Sequence, residues 1–181
     1  LDYATAARSV RSDVSRCFRD KAQLRELVTP WIVASLASED AARARDAASA
    51  ALLLDTIPEP VAEALRTFAR AMRQACDSAD GGRAAKVALL VAVRALMRVG
   101  DHAAGGEVAA DNVELFVELL DSPAKLMALD AICALGKPGI AAIAAVEAMI
   151  GQLAVTDPAS LDRSRCEERL ARLRALRGAD P

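Results

Sequence analysis

An all-α fold is predicted by three features of this 181-residue sequence. Alanine fills 42 positions while the aromatics are five, Tyr3, Phe18, Trp31, Phe68 and Phe116, a mix that suits closely packed helices better than sheets, which favour β-branched and aromatic residues. Helical segments follow one another with only short polar or Gly/Pro breaks between them. A short "AL" signature that closes a helix recurs roughly every forty residues, the periodicity of a helical repeat. With 54% apolar and 27% charged residues, the chain is long enough for one domain with a sizeable core. It begins at Leu1 without Met, which suggests an excised domain of a longer protein.

The predicted elements begin with a leading helix near 3–20. Helices follow at 22–37, 40–55, 59–77, 82–99, 112–120, 123–136, 140–154 and 158–177. Starts are marked where a side-chain oxygen can cap free amides with Pro at the first helical position, at Asp121-Ser122-Pro123 and Asp157-Pro158. Further starts are expected at Ser38 and at Asp111, where Glu114 completes a box-like arrangement. Stops are expected at Gly100, Gly136 and Gly178, since glycine lacks the Cβ that opposes a left-handed cap. Trp31 and Phe68, at apolar spacing, are expected in the core.

The net charge of −2 supplies no global attraction to nucleic acid or anionic membrane. Cys17, Cys76, Cys133 and Cys166 are far apart, no C-x-x-C pair exists, and there is a single histidine, His102, so neither a metal site nor any other cofactor is expected. Reduced, mostly buried thiols in a cytoplasmic protein fit this pattern. The most apolar run, Ile140 to Val155, carries Glu147 and is short for a bilayer, so no membrane insertion is expected. His102 has no partner at a spacing that would build a catalytic constellation.

The segment "ICALGKPGIAAIAA", Ile132 to Ala145, tests two readings of one Gly-Lys-Pro-Gly core. A phosphate-cradling loop would follow a strand and place Ser or Thr after the lysine; here Pro138 follows Lys137 and no strand precedes. Punctuation between packed helices is the better reading, because the fragment recurs. "ALLLDTIP" begins at Ala51, "ALMRVGD" at Ala95, "ALGKPGI" at Ala134 and "ALRGAD" at Ala175, separated by 44, 39 and 41 residues. Each follows a turn rich in Asp or Ser, so the unit is helix, turn, helix, break.

"DNVELFVELLDSPAKLMALDAICALGKPG", Asp111 to Gly139, resembles a HEAT or armadillo repeat, with an "LVxLL"-like first helix, an Asp/Ser/Pro turn and a small-residue second helix ending "ALG". "ARDAASAALL" from Ala44 and "ALMRVG" from Ala95 resemble the same second helix. The resemblance implies a right-handed α-solenoid whose second helices line a concave groove that binds proteins, peptides or occasionally nucleic acid. A two-helix unit cannot bury its apolar face alone, so neighbours must stack. The expected organisation is a single domain over 1–181, with an N-terminal cap helix at 1–21 and repeats at 22–57, 58–100, 111–138 and 139–178. The Trp and Asn ladders of peptide-binding armadillo domains are missing, because their columns fall on Ala50, Arg94, Cys133 and Arg174 and on Leu54, Arg98, Lys137 and Gly178. A HEAT-type arginine is matched by Arg45 alone, with Leu89 and Leu129 in its other columns.

Charge supplies the candidate site. At about 100° per residue, Arg83, Lys86, Arg94 and Arg98 share one arc of the 82–99 helix with Val87, Leu90 and Met97, while Ala88, Leu89, Ala92, Val93 and Leu96 form an apolar arc that must be core. The same columns reach Lys125, Leu126, Leu129 and Lys137 on the next repeat, then Arg163, Leu170 and Arg174. Acids gather on the first-helix side, five of them between Glu107 and Asp121. The expected partner-binding residues are Arg83, Lys86, Val87, Leu90, Arg94, Arg98, Lys125 and Leu129. They suit a non-catalytic scaffold or adaptor that takes a protein partner with an acidic segment. The alternative, a HEAT-like nucleic-acid-binding module, lacks aromatic platforms in the groove.

Overall fold

The computed structural model describes residues 21–54, 56–76, 82–100, 106–156 and 161–178. Within them the chain is helical, without strands, as the composition requires. The leading 3–20 helix, Cys17, His102 and the Asp157-Pro158 start lie outside the described residues.

Helix α1, Lys21–Leu36, continues through Pro30. A proline there removes a backbone donor, and the preceding Thr29 Oγ1 donates to the Arg25 carbonyl at 2.7 Å. Helix α2, Ala41–Ala51, is capped by Asp40, whose carboxylate accepts from Ala42 N and Arg43 N. Ser38 is therefore not the cap; its hydroxyl accepts from Asp40 N and fixes the approach. Ala44, Ala47, Ala48 and Ala51 form its buried stripe, and the helix stops there, short of the expected residue 55. Helix α3, Glu59–Cys76, buries Val61, Ala62, Leu65, Phe68 and Ala69. Helix α4, Gly82–Gly100, buries the apolar arc read from its sequence, with Ala85 and Ala95 added.

Helix α5, Gly106–Glu118, begins well before Asp111, so the box-like start at Asp111 is not used and Asn112 lies buried within the helix. A 3-10 turn, Leu119–Asp121, carries the chain to α6, Lys125–Ala134. The Ser122 hydroxyl donates to the Leu119 carbonyl and accepts from Ala124 N, closing this turn two residues before the helix rather than capping one at Pro123. Gly136 then takes φ 67° with ψ −125°, a positive-φ stop open to glycine although outside the left-handed helical region expected of it, and Gly178 ends its helix without positive φ. Lys137–Ala142 form a second 3-10 segment with Pro138 in its first turn, continuous with α7, Ile143–Thr156. Together they make 20 residues, long and apolar enough to cross a membrane by length and composition, and Ile143, Val146 and Met149 are buried within this fold. Helix α8, Leu161–Gly178, buries Cys166, Leu170 and Leu173.

Packing follows an alternating order. Consecutive helices pair as α1 with α2, α3 with α4, α5 with α6, and α7 with α8. The second members also touch in series, α2 on α4, α4 on α6 and α6 on α8, while α1 meets α3 and α3 meets α5. One continuous core runs from Ile32 to Leu173. Alanine permits the close approach, since Ala47, Ala48, Ala51, Ala62, Ala69, Ala92 and Ala95 are fully enclosed. Trp31 departs from expectation at 47% exposed, on the outer side of α1 with Leu27.

Two substitutions test this packing. Leu129 is 1% exposed, so Leu129→Ala should cost about 2–4 kcal/mol in denaturant unfolding, whereas Val155→Ala, at an exposed position, should cost under about 0.5 kcal/mol. A Cβ on Gly139 would stand 2.2 Å from the Ile132 carbonyl oxygen, so Gly139→Ala should destabilise by about 1–3 kcal/mol.

Candidate protein-binding groove

The outer arc of α4 is open along its length. Arg83, Lys86, Val87 and Arg94 are exposed, and Leu90 and Met97 are half-buried between them. The floor turns inward at Leu89, Val93 and Leu96, which are fully enclosed. Where α4 meets α6 a hollow of about 450 Å³ opens, lined by Leu90, Arg94 and Met97 on one side and by Lys125, Leu126, Met127 and Asp130 on the other, with Asp162 of α8 at its edge. A second hollow of about 320 Å³ lies between α6 and α8, lined by Leu126, Leu129, Asp130, Arg165 and Arg169. Leu126 and Asp130 border both, so the two hollows are neighbours across α6.

The sequence-derived site is brought together in part. Arg83, Lys86, Val87, Leu90 and Arg94 share the exposed α4 face, and Lys125 faces Leu90 and Arg94 across the hollow. Leu129, about one turn along α6 from Leu126, is 1% exposed and belongs to the core beneath the second hollow. Arg98 donates to the Leu52 carbonyl just beyond α2, so it closes a helix C-terminus, where a cation is favourable. Arg163 pairs with Glu167 of its own helix and Arg174 with Glu147 of α7, while Leu170 is buried. The residues that border the groove are Arg165 and Arg169, displaced around the helix from the expected arc.

Two acids in the groove were also missed. Asp162 lies 3.9 Å from Lys125, and Asp130 accepts from Arg169 at 2.8 Å. Both link α6 to α8, and Asp130 holds the Arg169 pKa above its ordinary value by that hydrogen bond. A helical-wheel reading of one helix cannot reveal them, because each is defined by its neighbour.

The opposite side of the hairpins treats its charge differently. Arg66 is 3% exposed and donates to Glu63 at 2.7 Å, to Glu59 at 2.5 Å and to the side-chain Oδ1 of Asn112 at 3.2 Å, with Asp111 at 3.9 Å. Burial acts to lower its pKa, but the hydrogen bonds and charges of Glu59 and Glu63 outweigh it and the net shift is upward. One and two turns further along α3, Arg70 pairs with Glu118 at 3.0 Å and Arg73 with Asp121 at 2.6 Å. The acids expected on the first-helix side are thus largely spent on the arginines of α3. By contrast Arg83, Lys86 and Arg94 on α4, and Arg165, Arg172 and Arg177 on α8, make no ion pair among the described residues.

Cys133 and Cys166 are free and buried; burial raises both thiol pKa values, which keeps them neutral and poorly nucleophilic. Among the described residues no group of three or more His, Cys, Asp and Glu side chains is placed to hold a metal ion. No family model, curated protein or solved structure matches the chain.

Two outcomes follow. Arg98→Ala should lower stability by about 1 kcal/mol through the lost helix-end contact, while Arg94→Ala should leave the melting temperature unchanged. Under native conditions at pH 8, peptides containing Cys133 or Cys166 should remain unlabelled by iodoacetamide in mass spectrometry, and label fully once the chain is unfolded.

Proposed function

We propose that this chain is a non-catalytic protein-interaction scaffold of the cytoplasm, a right-handed α-solenoid of four HEAT- or armadillo-like hairpins whose second helices bind an acidic segment of a partner. The alternating packing of first and second helices supports the hairpin reading, since each unit completes its core only against the next. The observation that carries the functional reading is the contrast in charge between the two sides. Arginines of α3 are matched by carboxylates, whereas among the described residues Arg83, Lys86 and Arg94 on the exposed face of α4 make no ion pair, and Arg94 borders the hollow with the half-buried Leu90, Met97 and Leu126. Unmatched cations around an apolar hollow steer and orient a carboxylate-bearing segment, and the apolar floor supplies the contact area.

Nucleic acid fits this groove less well. None of the described aromatics Trp31, Phe68 and Phe116 borders the hollow to stack a base.

Charge reversal separates the readings. The double variant Arg83→Glu/Arg94→Glu should keep the parent's melting temperature yet lose by about tenfold or more the protein partners retained from nuclease-treated lysate. Glu114→Lys, on the opposite side, should retain them. Salt-sensitive binding of duplex or single-stranded DNA at physiological ionic strength, abolished by the same double variant, would reject the scaffold in favour of a nucleic-acid module.

A further inference from the structure

The groove carries two separate groups of cations that make no ion pair among the described residues. Arg94 borders the α4–α6 hollow and Arg165 the α6–α8 hollow, with Leu126 and Asp130 common to both. Between them the charges of α6 are internally balanced, Lys125 by Asp162 and Asp130 by Arg169. Crossing the second helices from α4 to α8, a ligand therefore meets a cationic edge, then a neutral strip whose accessible apolar residues are Leu126 and Met127, with Leu126 common to both hollows, then a second cationic edge at Arg165. Arg172 lies two turns further along the same helix face as Arg165.

We infer that the groove selects a bipartite acidic peptide segment, two carboxylate clusters flanking an apolar residue, lying extended across α4, α6 and α8. This deepens the scaffold reading and rests on it. Packed helices are separated by about 8–10 Å, so α4 and α8 stand roughly 16–20 Å apart across α6. An extended chain advances about 3.3 Å per residue, and five or six residues span that distance. A continuous acidic run would place its central carboxylates over the balanced strip, where the cations are already paired and the loss of hydration is not offset. The central apolar side chain sits over Leu126 instead, and the flanking carboxylates reach Arg94 and Arg165.

The test uses fluorescence anisotropy with three labelled synthetic peptides: a Glu-Glu pair at each end of a roughly five-residue Ser/Gly linker with a central Leu, the same composition with all glutamates contiguous, and the spaced peptide with Leu replaced by Ser. The spaced Leu peptide should bind about tenfold tighter than either other peptide, a difference typical of correctly registered charge pairs. Arg94→Glu and Arg165→Glu, both at exposed positions, should each weaken it by about tenfold, and Arg165→Lys should restore most of the loss. Equal affinity for spaced and contiguous peptides, or loss with Arg94→Glu but not with Arg165→Glu, would overturn the bipartite inference while leaving an acidic-partner groove on α4 intact. Binding of none of the peptides, with an oligothymidylate probe bound instead, would overturn the inference and the scaffold reading together.

Discussion

Helices approach closely in this protein because alanine stands where they meet, and the arrangement of every other residue depends on that approach. The α2 stripe Ala44, Ala47, Ala48 and Ala51 is enclosed against its neighbours, and α4 presents Ala88, Ala92 and Ala95 within the same core. Small side chains bring backbones together but bury little apolar area individually, so the larger Leu65, Leu89, Leu96, Phe116, Leu119, Leu129 and Ile132 supply most of the driving force. Gly139 is the extreme of this economy, since its α-carbon lies against the Ile132 carbonyl with no room for a methyl. The Gly-Lys-Pro-Gly fragment serves the same end, with Gly136 reversing the chain and Gly139 seating it against the helix just completed.

Close packing fixes where charge can go. Helices α3 and α5 meet along a line where Arg66, Arg70 and Arg73 find carboxylates from Glu59 to Asp121, so that seam is electrostatically satisfied. Such partly exposed pairs contribute little stability individually, and the buried Arg66 is neutralised within α3 by Glu59 and Glu63 while its bond to Asn112 reaches α5. One polar group there remains without a partner, the enclosed Asn112 amide nitrogen. Among the described residues, Arg83, Lys86 and Arg94 of α4 and Arg165, Arg172 and Arg177 of α8 have no such match, which is the ground for proposing the second-helix side as the anion-binding one.

Much of this was legible in the sequence. The alanine content and the recurring helix-closing "AL" pattern gave helices close to their observed bounds from α1 to α4, and the 3.6-residue period separated the α4 core from its exposed arc correctly. What failed depended on neighbours. Trp31 has apolar spacing, yet the described helices do not enclose its side of α1. Leu129 and Leu126 both fit an accessible column, and only the packing of α6 among its neighbours decides that Leu129 is core. On α8 a projected register chose Arg163 and Arg174, which pair with Glu167 and Glu147, over Arg165 and Arg169. Starts failed where two side chains compete: Asp40 outbids Ser38, and Gly106 begins α5 without the Asp111 signal because the helix gains by continuing.

The central claim is that the second-helix side, and not the seam between α3 and α5, is the surface a protein partner covers. Hydrogen–deuterium exchange of the chain alone and saturated with an acidic partner peptide measures this directly. The account predicts slowed exchange in the accessible turns of α4 around Arg94, at the start of α6 and along α8 near Arg165, with α3 and α5 unchanged. Protection confined to α3 and α5, with α4, α6 and α8 unaffected, would contradict it.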